Sequence, residues 1–321
     1  MHKLIKFYYD NKFKIWRIII IIVSVLLIIQ LLNYLQKNKN EKNLAEMNNT
    51  IANAENNRTD TEEENKTTVS NTSLATGEEI SEETAKSDET LIRTFINYCN
   101  NGEIEKAYEI ISNECKKQLY PNIDNFKNNY INYIFNGNQN KTATIENWSS
   151  GTYKINLKDD VMATGKVSMQ ATQDYMTIVS EDNIRKLNIN SFVGTQEINK
   201  SNADNNIEIE VIEKNVYIDY EQYRLKVKNN SGNTVLLDSL KSTKTIYVQD
   251  GNNVKYYSYS HEIPESLLKV DNESNGQLTI KFIKSYSPSR PSKSITFSNI
   301  ILDYNNYLKG NFDGESLTID M

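Results

Sequence analysis

The feature that most constrains this chain is residues 18–35, IIIIIVSVLLIIQLLNYL, in which fourteen of eighteen positions are Ile, Leu or Val. As a helix rising about 1.5 Å per residue, the stretch is about 27 Å long, close to the roughly 30 Å hydrocarbon core of a bilayer. Each central Ile or Leu favours insertion by about 0.3–0.6 kcal/mol, so the run supplies roughly 4–8 kcal/mol, enough to carry Ser24, Gln30 and Asn33. A buried core helix of this composition would need an apolar shell on every side, and the neighbouring residues are charged and Asn-rich. The sequence therefore predicts one transmembrane helix, with the lipid bilayer as its partner. Trp16 and Tyr34 stand at its two ends, where amphipathic rings suit the headgroup region, and Lys14 and Arg17 flank its start. Five Lys/Arg precede the run and three follow it closely, which orients the amino terminus toward the cytoplasm and the bulk of the chain outside. The exit, Asn33-Tyr34-Leu35-Gln36-Lys37, has no small-residue cleavage site, so the span reads as an uncleaved signal anchor.

Charge is segregated around this anchor. Residues 1–40 are net +6 and residues 41–89 net −9, which leaves −3 of the total −6 for residues 90–321. The large carboxy-terminal part thus has no strong field, and nothing in it favours nucleic acid. Residues 1–17, the basic cytoplasmic head, are too few for a domain. Residues 36–87 are rich in Asn, Thr, Ser, Glu and Lys, with isolated apolar positions, and are expected to form a disordered acidic linker.

Periodicity then divides the remainder. Leu91, Ile92, Phe95, Ile96 and Cys99 recur at helical spacing, with Ser87 or Asp88 as the expected cap. A second helix is predicted from Glu103 and a third after Pro121 and Asp124, with Phe126, Tyr130, Ile134 and Phe135 on one face. The pattern changes to period two at 142–148 and 152–157, a hairpin through Ser149-Ser150-Gly151, and further strands are expected at 161–172, 175–180 and 184–190. Three helices followed by an antiparallel meander imply an α+β domain over 88–203, with helices against one face of a curved sheet. Cys99 and Cys115 fall about 18 Å apart in this arrangement, too far for a bridge, so two buried free thiols are expected.

The stretch LIRTFINYCNNGEIEKAYEIISNECKKQLYP, with DNFKNNYINYIF and the later TIVSEDNIRKLNINSFVG, resembles the nuclear transport factor-like, cone-shaped α+β superfamily, in particular its bacterial extracytoplasmic branch behind a single membrane span. The resemblance covers about a third of the chain. Within the domain expected at 204–321, residues 207–304 are almost wholly strand-like, with alternation at Ile207, Ile209 and Val211, at Tyr223, Leu225 and Val227, and at Leu278, Ile280 and Phe282, and residues 305–321 form a short tail with room for one added strand. Asn229–Asn233, Asp250-Gly251 and Ser287-Pro288-Ser289-Arg290-Pro291 are turn or loop signals. Seven or eight short strands indicate an all-β antiparallel sandwich. YRLKVKNNSGNTV and LTIKFIKSYSP resemble the immunoglobulin-like domains of envelope proteins, without their Cys-Trp-Cys core.

Chemistry is sparse. His2 and His261 are the only histidines, the two Cys lack zinc spacing, and no Gly-rich phosphate loop occurs, so no catalytic, cofactor or metal site is expected. Some cone-fold members use an Asp base and a Tyr donor. Asp174 and Tyr175, with Tyr98, Tyr108 and Tyr153, are the residues here of those types, but they do not map onto that pattern. Alternation puts Tyr257 and Tyr259 on one strand face and Tyr256 on the other, which makes Tyr257 and Tyr259 a candidate interaction patch. The expectation is a non-enzymatic, membrane-anchored binding protein of the bacterial cell envelope, whose partner is another envelope protein or a wall polymer. Two other readings stay open: an assembly component of a conjugation or type IV secretion channel, and a ligand-binding or isomerase-like cone.

Overall fold

The computed structural model describes residues 69–135, 140–149, 151–159, 172–239, 244–258, 263–311 and 314–321. The expected basic head and membrane helix, with Lys14, Trp16, Arg17 and Tyr34, lie outside these residues, as do Tyr259 and His261. Among the described residues no helix is long and apolar enough to cross a membrane.

Order begins earlier than the composition suggests. Residues 69–87, expected as linker, belong to the folded unit: Val69 and Ala85 are buried, and Thr72 bridges Glu79. Ser81 caps helix α1, Glu82–Asn100, by accepting from Thr84 N, with Glu82 and Glu83 in the favourable first turn. Asp88, expected near the cap, is instead in mid-helix. It is buried and held by Arg185 and by the Tyr153 hydroxyl. The second predicted helix is two, α2 (Ile104–Ile110) and α3 (Asn113–Leu119), because Ser112 turns extended and its side chain caps Cys115 N at 2.9 Å. A last helical run, α4, comprises Ile123–Phe126, a π-helical turn at Lys127–Ile131, and Asn132–Ile134.

The first sheet is an antiparallel meander in the order β1 (Lys141–Ser149), β2 (Thr152–Asp159), β3 (Thr172–Glu181), β4 (Ile184–Asn188). Its apolar positions join the helices in one core, in which Phe95, Phe126, Tyr130, Tyr120 and Phe135 pack ring to ring. Cys99 and Cys115 are buried there as free thiols, and burial pushes the Cys115 thiol up to about 12.

Two further antiparallel sheets enclose a second core. One has the order β12 (Ser274–Phe282), β7 (Glu221–Asn229), β6 (Ile207–Tyr217), β5 (Phe192–Asp204). The other is six-stranded: β10 (Lys255–Tyr257), β9 (Ile246–Asp250), β13 (Ser292–Ile301), β8 (Val235–Leu236) and β11 (Lys269–Val270), with β14 (Gly314–Asp320) also on β13. The fold is therefore sheet-rich and antiparallel. The expected boundary between 203 and 204 falls within the last residues of β5, which pairs with β6 along its length, so residues 192–203 belong to the second lobe's sheet. Phe192 and Tyr217, at the ends of those strands, are nevertheless buried in the first core. Residues 67–321 form one compact unit.

Candidate functional site

The two lobes meet along a seam built on two buried carboxylates. The first is Asp174 on β3, 2% exposed. It accepts from the Tyr130 hydroxyl at 2.7 Å and from the backbone N–H of Tyr175 (2.7 Å), Asn190 (3.2 Å) and Ser191 (3.0 Å). Burial pushes its pKa up, and the four hydrogen bonds pull against that. The bonds hold a turn in which Asn190 and Ser191 both have positive φ, 58° and 61°, a conformation that side chains disfavour and that needs such support. The turn in turn carries the seam: Ile218 N–H donates to Ser191 O at 3.0 Å, and Tyr286 N–H donates to Ile218 O at 2.7 Å. Beside it Phe192 packs on Tyr217 with centroids 5.3 Å apart, and Tyr217 stacks on Tyr220 at 4.2 Å.

The second carboxylate is Glu221, the first residue of β7, 3% exposed. Lys284 Nζ donates to its Oε1 at 2.8 Å, while the hydroxyls of Ser292 and Tyr223 donate to Oε2, each at 2.6 Å. Burial raises its pKa, but Lys214 and the donors Lys284, Ser292 and Tyr223 outweigh it and hold the carboxyl below the usual range. Lys214 lies on the facing strand, paired in register with Tyr223, and burial lowers its own pKa. Lys284 and Ser292 bracket the Ser-Pro-Ser-Arg-Pro loop, so one buried carboxylate pins both ends of that loop.

The loop forms one wall of a 680 Å³ cleft between the lobes. Tyr286, Ser287, Pro288, Ser289 and Arg290 line it from the second lobe. The opposite wall is Trp148 and Ser149 at the end of β1, with Ala75, Thr76 and Glu78 from the amino-terminal hook. Trp148 is half-buried and meets Tyr175 edge to face at 5.5 Å. The hook is fastened to β1 through Leu74 N–H to Asn147 O (2.9 Å), Ala75 N–H to Trp148 O (2.8 Å) and the Ser73 hydroxyl to Trp148 O (2.8 Å). The Ser149 hydroxyl is buried with no hydrogen-bond partner among the described residues. The cleft carries one charge of each sign, Glu78 and Arg290, and Arg290 acts on Asp250 nearby.

Comparison with protein-family models, with curated proteins and with solved structures gives no match. Of the sequence-predicted patch, Tyr257 lies on the outer side of β10, edge to face with Tyr247 at 5.7 Å, with Lys244 5.6 Å over its ring and Lys255 4.1 Å over Tyr247. Tyr256 faces the other way, packs against the second core and donates to Asp250 at 3.1 Å. Tyr175 reaches the cleft only indirectly, through Trp148, while Tyr98 and Tyr108 border the first core. Sequence reasoning passed over Trp148, Tyr286 and Arg290. Their signal was present, since Trp148 is the one tryptophan after residue 35 and Ser287–Pro291 stood out as a loop.

Proposed function

We propose that this chain is a single-pass membrane-anchored protein of the bacterial cell envelope that holds its folded unit outside the membrane and works by binding rather than by catalysis. The observation that carries the reading is the inter-lobe cleft, concave and lined by aromatic and hydroxyl side chains, with a wall pinned by Glu221. The first lobe reads as a cone-shaped domain of the nuclear transport factor-like kind and the second as an immunoglobulin-like sandwich. The order of helices then meander, and the two sheets around one core, support that reading. Asp174, a residue of the type that some cone enzymes use as a base, spends its hydrogen bonds on the seam. The anchor at 18–35 and the acidic residues after it set position and reach.

A second reading, that the chain is a component of a conjugation or secretion assembly, is favoured by the lysine-flanked Tyr247–Tyr257 pair beside the sheet edge at β10, a surface suited to an acidic protein partner. Two experiments test the proposal: protease added to intact spheroplasts, and, separately, crosslinking in intact walled cells with identification of the captured species. Digestion of the exposed linker with capture of wall polymer supports it. Cleavage only after lysis contradicts it, and capture of transfer-channel proteins replaces it with the second reading.

A further inference from the structure

We infer that the inter-lobe cleft is a binding site for an uncharged saccharide chain. The inference rests on the binding-protein reading above and names the class of ligand. Four features of the cleft select it. Trp148 and Tyr286 offer amphipathic rings, on which the C–H face of a pyranose packs while its hydroxyls remain at the rim. Around them stand the hydroxyls of Thr76, Ser149, Ser287 and Ser289, with Glu78 and Arg290, a set of donors and acceptors matched to sugar hydroxyls.

The third feature is charge. Glu78 lies in the cleft with Arg290, and Asp250 beside Arg290 offsets it further, so no net positive field awaits a polyanion. The fourth is the state of the strand edge. An extended peptide would be expected to add to a free edge, yet the end of β1 that borders the cleft is already paired with residues 73–75. The buried Ser149 hydroxyl has no hydrogen-bond partner among the described residues, which is the arrangement a ligand hydroxyl would complete. At 680 Å³ the cleft has room for a short oligosaccharide and is far larger than a small ion requires.

Trp148 supplies the readout. In the full chain in detergent, carrying Trp16→Phe, it is the sole tryptophan. Titration with cellotetraose and with the N-acetylglucosamine tetramer is expected to give a saturable change in its emission for at least one of them. Tyr286→Ala is expected to weaken that binding about tenfold, the equivalent of one lost stacking contact, while Tyr286→Phe retains it. Arg290→Ala, an exposed position where folding is not at stake, is expected to weaken it as well. No saturable change with either sugar, or a change indifferent to both Tyr286→Ala and Arg290→Ala, overturns the assignment. So does tighter binding of dextran sulfate than of either neutral sugar. Sugar binding is read on the purified chain and protease access on spheroplasts, so loss of the first leaves the binding-protein reading standing on its own test.

Discussion

Asp174 and Glu221 are single residues on which much of this molecule turns, and neither announces itself in the sequence. Each is an ordinary acidic letter in a strand pattern. Their roles depend on distant partners, such as Asn190, 16 positions from Asp174, and Ser292, 71 positions from Glu221, which only the fold brings near. Asp174→Ala leaves the buried Tyr130 hydroxyl without that acceptor and takes it from two turn N–H groups as well, and is expected to cost about 3 kcal/mol in urea unfolding. Glu221→Gln leaves Lys284 and Lys214 buried against a neutral group and is expected to cost roughly 3–5 kcal/mol. The pH dependence has a definite sign. The folded pKa of Glu221 lies below its unfolded value, so its stabilisation is complete at neutral pH and is lost as pH falls from about 4.3 through the depressed folded value. Denaturation curves of wild type and Glu221→Gln should therefore converge in acid and stand furthest apart near pH 7; a gap independent of pH would refute this role.

At the scale of elements, legibility follows side-chain periodicity. The strands at 141–149, 152–159, 207–217, 221–229 and 274–282 were readable because each buries one face, and alternation records that burial. β5 was not, beyond its first residues, because from Glu197 on nearly all its side chains face solvent while its backbone pairs with β6. The hook at 69–80 escaped for the same reason. It is fastened by backbone groups and by Ser73, which leave no apolar pattern, and Leu74 is 62% exposed. Ser73 also accepts from Thr76 N–H and the Thr76 hydroxyl, so Ser73→Ala is expected to loosen the hook by about 1–2 kcal/mol. Hydrogen exchange should then quicken at residues 73–80 and leave β2 and β7 unchanged. Equal quickening everywhere would mean the hook is integral to global folding.

For the whole molecule, the anchor reading and the cleft rest on different physics. The proposed anchor is read from composition alone, because a bilayer asks only for length and apolarity. The cleft arises where two cores meet, and no local pattern encodes a meeting. Its constancy depends on the seam through Ser191, Ile218 and Tyr286 and on the aromatic contacts of Phe192, Tyr217 and Tyr220. The two lobes are therefore expected to behave as one body. Spin labels at Lys158→Cys on β2 and Gln277→Cys on β12, both exposed positions, measure this directly, since the native Cys99 and Cys115 are fully buried and stay unlabelled. A single narrow distance distribution, which broadens in Glu221→Gln or Asp174→Ala, is the predicted result; a broad or two-peaked distribution in the unaltered seam would contradict it.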